Sequence, residues 1–390
     1  MYYYLFICLF IFAIGDFLGT LTKAKLSSVF VSLILFLVGF MTGILPPDII
    51  ELAGLTAIGK WSSAFIIFHM GTMINMRELI DEWRTVLIAI ISMVVVIIST
   101  LLVVPIVGKE AAIVGIPILN GGIVATQIMT EAALKEGFVL AAALGTILYA
   151  VQKFFGTPFA SYFGLKEARL VVNELRENKI KKVENKVKNN KETNEKEKLS
   201  FYKKYDKYYG NFVCLGITAF FAWIASLLGD KTPISYSIWA LFLGAIVSYF
   251  GIVPEKILDR SKASGLLNMA VFASIIPSLA NIKLADLTTL GLQTIVIFAV
   301  LFVALYIFIG ILPTWKIVGS KNLALGISVA QLLGFPATYL ISVEVANAVA
   351  ENEEEKQAIL DVLMPKYVVA GLATVTSISI IIAGIFVKFL

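Results

Sequence analysis

Tyr2-Tyr3 followed by Phe6, Cys8, Leu9, Ile11 and Ala13 returns about 206 residues later as Tyr208-Tyr209 followed by Phe212, Cys214, Leu215, Ile217 and Ala219. The correspondence continues along the chain. Leu35-Phe36-Leu37 recurs as Leu241-Phe242-Leu243, Gly43-Ile44-Leu45-Pro46 as Gly251-Ile252-Val253-Pro254, and Asn75 as Asn281. Gly122-x-x-Ala125-Thr126 recurs as Gly334-x-x-Ala337-Thr338. Both copies are strongly apolar. A membrane chain of two related halves is the architecture in which secondary carriers build a site at the repeat interface, near the bilayer midplane.

The sequence is 59% hydrophobic and 15% charged, whereas soluble domains hold roughly 45–50% and about 25%. This composition reads as a polytopic, all-α membrane protein. The formal charge of +5 is confined to one tract: residues 165–209 carry 14 of the 32 basic and 8 of the 27 acidic side chains. The rest is nearly neutral, so no nucleic-acid partner is expected. Cys8 and Cys214 lie inside apolar runs, which argues against a disulfide or metal framework.

A hydrocarbon core about 30 Å thick needs roughly 20 apolar residues per helix. Ten such runs are expected, near 2–19, 27–45, 59–75, 85–106 and 138–164, then near 210–229, 233–251, 264–282, 288–312 and 362–388. Before the last run of each half, residues 110–135 and 320–350 are interrupted, by Gly115, Pro117, Gly121 and Gly122 in one copy and by Gly326, Gly334 and Pro336 in the other. Helix-breaking backbone at membrane depth is tolerated where protein buries it or where it lines a cavity. Each segment therefore reads as a re-entrant hairpin. The organisation expected is a first repeat over 1–164, a charged cytoplasmic linker over 165–209, and a second repeat over 210–390.

Lysine and arginine concentrate on cytoplasmic loops. Placing 165–209 inside also brings Lys23, Lys25, Arg77, Arg84, Lys256, Arg260, Lys262, Lys316 and Lys321 inside. Both termini then fall outside. Five spans per half is odd, so the second copy enters the bilayer inverted. The location expected is the cell (plasma or inner) membrane. The acidic run Glu351-Asn352-Glu353-Glu354-Glu355 reads as a solvated loop on the linker's face.

The first interruption reads Leu119-Asn120-Gly121-Gly122-Ile123-Val124-Ala125-Thr126-Gln127 and the second Gly334-Phe335-Pro336-Ala337-Thr338-Tyr339. Glycines expose backbone groups, and a helix start beside them offers unpaired N–H groups and a positive dipole end, which suit an anion. The site expected comprises Asn120, Gly121, Gly122, Thr126 and Gln127 facing Gly334, Pro336, Ala337, Thr338 and Ser342. The alternative is that these glycines only allow close helix packing.

Polar residues inside spans are costly and therefore candidates. Asn75 and Asn281 are either helix caps or part of a coupling-ion site. Glu131 and Glu344, beyond each tip, either bind a coupling cation or end in water. Lys153 in the fifth span pairs with substrate or a carboxylate, or snorkels to the interface. The single histidine, His69, has no metal-ligating company. No Walker A loop, His-Glu-x-x-His helix or framed serine nucleophile occurs, so no enzyme is expected.

On these residues the chain resembles the bacterial sodium/glutamate symporter family, as a distant relative, and shares features with the 2-keto-3-deoxygluconate permease family. Gly121-Gly122 match the paired glycines of the symporters' first hairpin, although Ile123-Val124-Ala125 stand where that family has His-Gly-Thr. Asn120-Gly121-Gly122 match the permease pattern, and Ala337-Thr338 after Gly334 resembles the second hairpin of both. The resemblance implies a sodium- or proton-coupled carrier of a small organic anion, such as glutamate or another carboxylate. It also implies an elevator-type mechanism and a homodimer, with no cofactor beyond sodium as coupling ion. Two other function classes stay open from the residues: a cation/proton antiporter without organic substrate, and a channel with the breaks as pore loops.

Overall fold

The computed structural model describes residues 1–21, 28–74, 76–182, 201–334 and 337–390, and among these there is no β-strand. The helices run α1 (Tyr2–Leu21), α2 (Ser28–Met41), α3 (Ile49–Leu52), α4 (Leu55–Thr72), α5 (Met76–Asp81), α6 (Trp83–Leu102) and α7 (Val104–Val107). Then come α8 (Lys109–Leu119), α9 (Ile123–Lys135), α10 (Val139–Lys182), α11 (Phe201–Lys204), α12 (Asn211–Lys231), α13 (Tyr236–Tyr249) and α14 (Ile257–Arg260). The chain closes with α15 (Ser264–Ile275), α16 (Leu284–Leu305), α17 (Lys321–Ile327), α18 (Ala330–Leu333), α19 (Ala337–Val349), α20 (Glu353–Leu372) and α21 (Ser379–Phe386).

Among the described residues, five helical stretches are long and apolar enough to cross a membrane: Trp83–Leu102, Val139–Glu177, Asn211–Lys231, Leu284–Ile311 and Glu353–Phe389. Ser28–Met41, Tyr236–Tyr249 and Ser264–Leu279, each expected as a full span, are shorter apolar helices. Two of them are cut by glycine. Gly43 and Gly251 stand just past α2 and α13 at φ +71° and +66°, a left-handed conformation that glycine adopts freely and that ends helices. The outer surface is apolar in stripes: Leu87, Ile90, Val94, Ile98 and Leu101 are exposed along α6, and Phe212, Phe220, Trp223 and Leu227 along α12. Contiguous apolar faces of this size are poorly tolerated in water. They fit a bilayer, and the chain is an all-helical protein of membrane character.

Helix α10 organises the interior, packing against α8, α9, α17, α18, α19 and α20. Its small residues set the contacts. A Cβ on Gly145 would meet Ile118 Cδ1 at 2.7 Å and Val114 Cγ1 at 2.8 Å, while Leu148 packs on Gly115. Further on, Gly156 packs on Leu332 and Leu333, and Gly164 on Val345 and Tyr367. Tyr367, fully buried in α20, donates its hydroxyl proton to the Ala160 carbonyl at 3.1 Å.

The helix does not stop at 164, where the charged linker was expected to begin, but runs to Lys182. Ala168 and Val172 are buried, one turn apart, and continue the inward stripe of Ala160 and Phe163. Charged residues on the other face conceal that stripe from an average of composition. The acidic run is exposed from Glu351 to Glu354, as expected of a solvated segment, and departs from that expectation at Glu355. Asn352 caps α20 by accepting from the Glu355 N–H at 3.0 Å. Glu355 is buried and takes two hydrogen bonds from Arg176, at 2.8 and 3.1 Å, and Arg176 also reaches Glu351 at 3.0 Å. The last residues of the expected linker fold back as well: Tyr202 N–H bonds the Gly251 carbonyl at 2.9 Å, and Arg260 pairs with Asp206 at 2.7 Å.

Candidate functional site

The first break separates α8 from α9 over Asn120, Gly121 and Gly122. Helix α8 carries Pro117 in its last turn, and Gly122, in extended backbone, precedes α9 without any side-chain cap. The first-turn amides of α9 therefore have no side-chain acceptor, the arrangement that favours negative charge. The second break separates α18 from α19 around Gly334, whose φ of +66° and ψ of 174° belong to glycine's own region. The two breaks share one local pattern: Thr126 N–H bonds the Gly122 carbonyl at 3.1 Å, and Thr338 N–H bonds the Gly334 carbonyl at 3.1 Å.

The breaks lie side by side. On one flank α10 touches both, Gln152 donating to the Gly121 carbonyl at 3.2 Å and Gly156 packing on Leu332 and Leu333. Four residues of helix rise about 6 Å, so the two contacts stand one turn apart. On the other flank lies the last helical stretch, which widens into a π-helix over Ala373–Ile378. Such turns are uncommon and concentrate at functional sites. Val375 Cγ1 lies 2.7 Å from where a Gly122 Cβ would stand and 3.2 Å from the same position on Gly334. One turn before it, a Gly371 Cβ would stand 2.8 Å from Thr338 Oγ1, and one turn after it Ser379 crowds Gly121.

Burial at this junction is nearly complete. Asn120, Thr126, Thr338 and Ser342 are fully buried, Gln127 and Gln331 are 1% exposed and Gln152 is 2% exposed. Several of these polar groups are paired. Thr126 Oγ1 donates to the Gly122 carbonyl at 3.1 Å, and Ser342 Oγ to the Thr338 carbonyl at 3.0 Å. Gln127 Nε2 donates to Glu131 Oε1 at 2.8 Å, and Ser63 of α4 donates to Gln127 Oε1. Others are not: Asn120 Oδ1, Gln152 Oε1, both polar atoms of the Gln331 carboxamide, and Thr338 Oγ1 have no hydrogen-bond partner. A buried polar atom without a partner costs about 1–3 kcal/mol. Five of them at one junction mark the place where an outside group would be most stabilising.

Of the residues expected at the site, Asn120, Gly121, Gly122, Thr126, Gly334 and Thr338 flank the two breaks, and Ala337 and Ser342 belong to α19 beyond the second. Gln127 turns toward α4 and, through Glu131, forms a side branch. Lys153 is half-buried beside Gln152, with no hydrogen bond or ion pair among the described residues. Asn281 and Glu344 are exposed and are not brought to the breaks; Asn281 lies in the turn before α16, whose cap is Lys283. Asn75 and Pro336 lie outside the described residues. His69 accepts from the Leu258 N–H at 3.3 Å and stands 3.8 Å from Asp259, tying α4 to α14 away from the breaks. No group of three or more metal-ligating side chains occurs among the described residues.

Reading the sequence missed Gln331 and Val375. Gln331 carries a visible signal, a lone carboxamide in an apolar run three residues before Gly334. Val375 carries none, because nothing local marks a π-turn in an apolar helix. No protein-family model and no curated protein matches this sequence.

Proposed function

We propose that this chain is a secondary active carrier that moves a small organic anion, glutamate or another carboxylate, in symport with sodium or protons. It works by an elevator-type alternating-access mechanism and as a homodimer. In this reading ten spans and two re-entrant hairpins form two inverted repeats, and the hairpins with α10 form the moving body. One observation carries it: two helix breaks from distant parts of the chain meet across Val375 and adjacent turns of α10, surrounded by buried polar atoms without partners.

The chemistry fits an anion in two ways. The uncapped start of α9 presents amides and a positive dipole end. Lys153, half-buried, next to Gln152 in sequence and without an ion pair among the described residues, would be stabilised as a cation by a bound carboxylate. The repeat is supported by element order: in each copy a 14-residue helix is followed by a positive-φ glycine and then a four-residue helix, α2–Gly43–α3 and α13–Gly251–α14.

The test is uptake into proteoliposomes under an imposed sodium or proton gradient, with labelled amino acids, dicarboxylates and sugar acids offered in turn. The expected result is saturable, gradient-driven accumulation of one carboxylate, with counterflow, abolished by Thr126→Leu and by Thr338→Leu in protein that still inserts. Accumulation of no organic anion under either gradient, or normal uptake by both variants, would overturn the reading.

A further inference from the structure

Residues 201–208 close the charged tract and lead into α12, and they are held in place by backbone contacts on both sides. Tyr202 N–H bonds the Gly251 carbonyl at 2.9 Å, and Arg260 donates to the Asp206 and Tyr209 carbonyls at 2.9 and 3.0 Å. The Tyr209 hydroxyl donates to the Ile252 carbonyl at 2.5 Å. These bonds fix the segment against the start of α12 and the end of α13. Both helices are apolar and exposed close by, through Phe212 and Val213 on α12 and Phe242 and Ile246 on α13. Such faces meet hydrocarbon in a membrane protein, so the segment stands at the level where a bilayer gives way to water.

An aromatic strip crosses this surface. The Phe201 and Tyr205 rings are 4.8 Å apart and the Tyr205 and Tyr208 rings 6.5 Å apart. All three are exposed, and Tyr249 and Phe250, at the end of α13, are 66% and 67% exposed. Lys204 stands 5.5 Å from the centre of the Tyr205 ring, and Lys207 stands 4.8 Å from that of Tyr208. Rings and lysines in this arrangement suit a headgroup layer, with the ring bodies toward the acyl chains and the hydroxyls and ammonium groups among the phosphates. Asp206, the one acidic side chain of the segment, is taken up by Arg260 at 2.7 Å. It therefore leaves the charge of Lys204 and Lys207 uncancelled.

We propose that residues 201–208, with Tyr249 and Phe250, form a docking surface for the headgroups of anionic phospholipids, which fasten the end of the charged tract to its leaflet. The proposal rests on the membrane character of the chain and is independent of the carrier reading. The pairing of ring and cation recurs on the face expected to hold the tract, as Arg84 over Trp83, Lys316 over Trp315 and Lys321 over Tyr306. A zwitterionic headgroup cancels its phosphate with its own ammonium, so the lysines select a lipid of net negative charge. Each lysine near an anionic surface strengthens attachment about fivefold, and Lys204 and Lys207 together about 25-fold, an effect that salt screens.

The experiment is amide exchange over 201–209 of the purified full-length chain in lipid discs of phosphatidylcholine, with and without phosphatidylglycerol. Phosphatidylglycerol slows exchange across the segment about tenfold or more, and added salt reverses the slowing. Lys204→Gln with Lys207→Gln keeps parental exchange in phosphatidylcholine, because other residues make the bonds that hold the segment, and loses most of the response to phosphatidylglycerol. Lys231→Gln, about 30 Å away at the other end of α12, keeps the response in full. Equal exchange in the two lipids, or a parental response in the double variant, overturns the proposal. So does equal slowing by inorganic phosphate in phosphatidylcholine discs, which would assign the lysines to free anions. A slowing that requires two copies of the chain in one disc would assign the surface to a second copy and also overturn it.

Discussion

Gly122 and Gly334 touch the same methyl of Val375, yet they are glycines for different reasons, and a double-mutant cycle separates them. Gly122 has φ −109°, open to any residue, so Gly122→Ala suffers only from the new Cβ lying 2.7 Å from Val375 Cγ1. Overpacking of this kind costs about 1–3 kcal/mol. Val375→Ala withdraws that methyl and by itself costs about 1 kcal/mol, since the side chain is half-buried and a fully buried methylene is worth about 0.8 kcal/mol. The double variant should therefore recover most of the overpacking, a coupling of about 1–2 kcal/mol. Gly334 has φ +66° with ψ 174°, where a non-glycine residue pays about 1–3 kcal/mol in backbone strain. Its Cβ would stand 3.2 Å from the same methyl, so Val375→Ala should return at most a few tenths of a kcal/mol to Gly334→Ala. The assay is unfolding of all five variants and the parent in one mixed-micelle system, with uptake measured beside it. If Val375→Ala rescues neither alanine, Val375 does not set the contact between the breaks. If it rescues both equally, backbone conformation is not what fixes Gly334.

Two further outcomes follow from contacts away from the breaks. Tyr367→Phe deletes the hydroxyl that meets the Ala160 carbonyl at 3.1 Å, and its unfolding free energy should fall by about 1 kcal/mol with uptake retained; an unchanged value would mean the bond contributes nothing. The Arg260 guanidinium, 2.7 Å from Asp206, holds that carboxyl below its ordinary range. A folded-state value that is lowered adds stability in full above the unfolded value of about 3.9 and loses it as pH falls through the lowered one. Amide exchange over 201–209, corrected for intrinsic rate, should accelerate on acidification in the parent, whereas Asp206→Asn should already be faster at neutral pH and change little below it.

The two breaks could be read in the sequence because glycine and proline punctuate helices wherever they occur: Pro117 with Gly121-Gly122, and Gly334. Where the breaks meet could not be read. Their meeting depends on Val375 and Gly156, an aliphatic residue and a small one in apolar helices, whose neighbours are set by chain crossings hundreds of residues apart. Composition misled at 165–182, where an average over Lys, Glu and Asn concealed Ala168 and Val172 on one buried face. It misled again at Glu355, the one buried member of an otherwise exposed acidic run, which reads as solvated unless Arg176 is known to stand opposite. Gln331 was within reach. A carboxamide that finds no partner in an apolar run is as informative as the glycine that follows it.

Helix α10 meets the first break at Gln152 and the second at Gly156, and it keeps packing through Gly164. One residue inserted between the first two contacts would turn everything downstream by about 100°, taking Gly156 off Leu332 and Leu333 and bringing a bulkier neighbour into their place. Side chains along this stretch are open to substitution so long as size and polarity are kept. The number of residues between its contacts is not. Relatives of this chain, however far their letters have drifted, should keep the same count from Gly145 to Gly164, and in a divergent alignment that interval is where gaps should be refused.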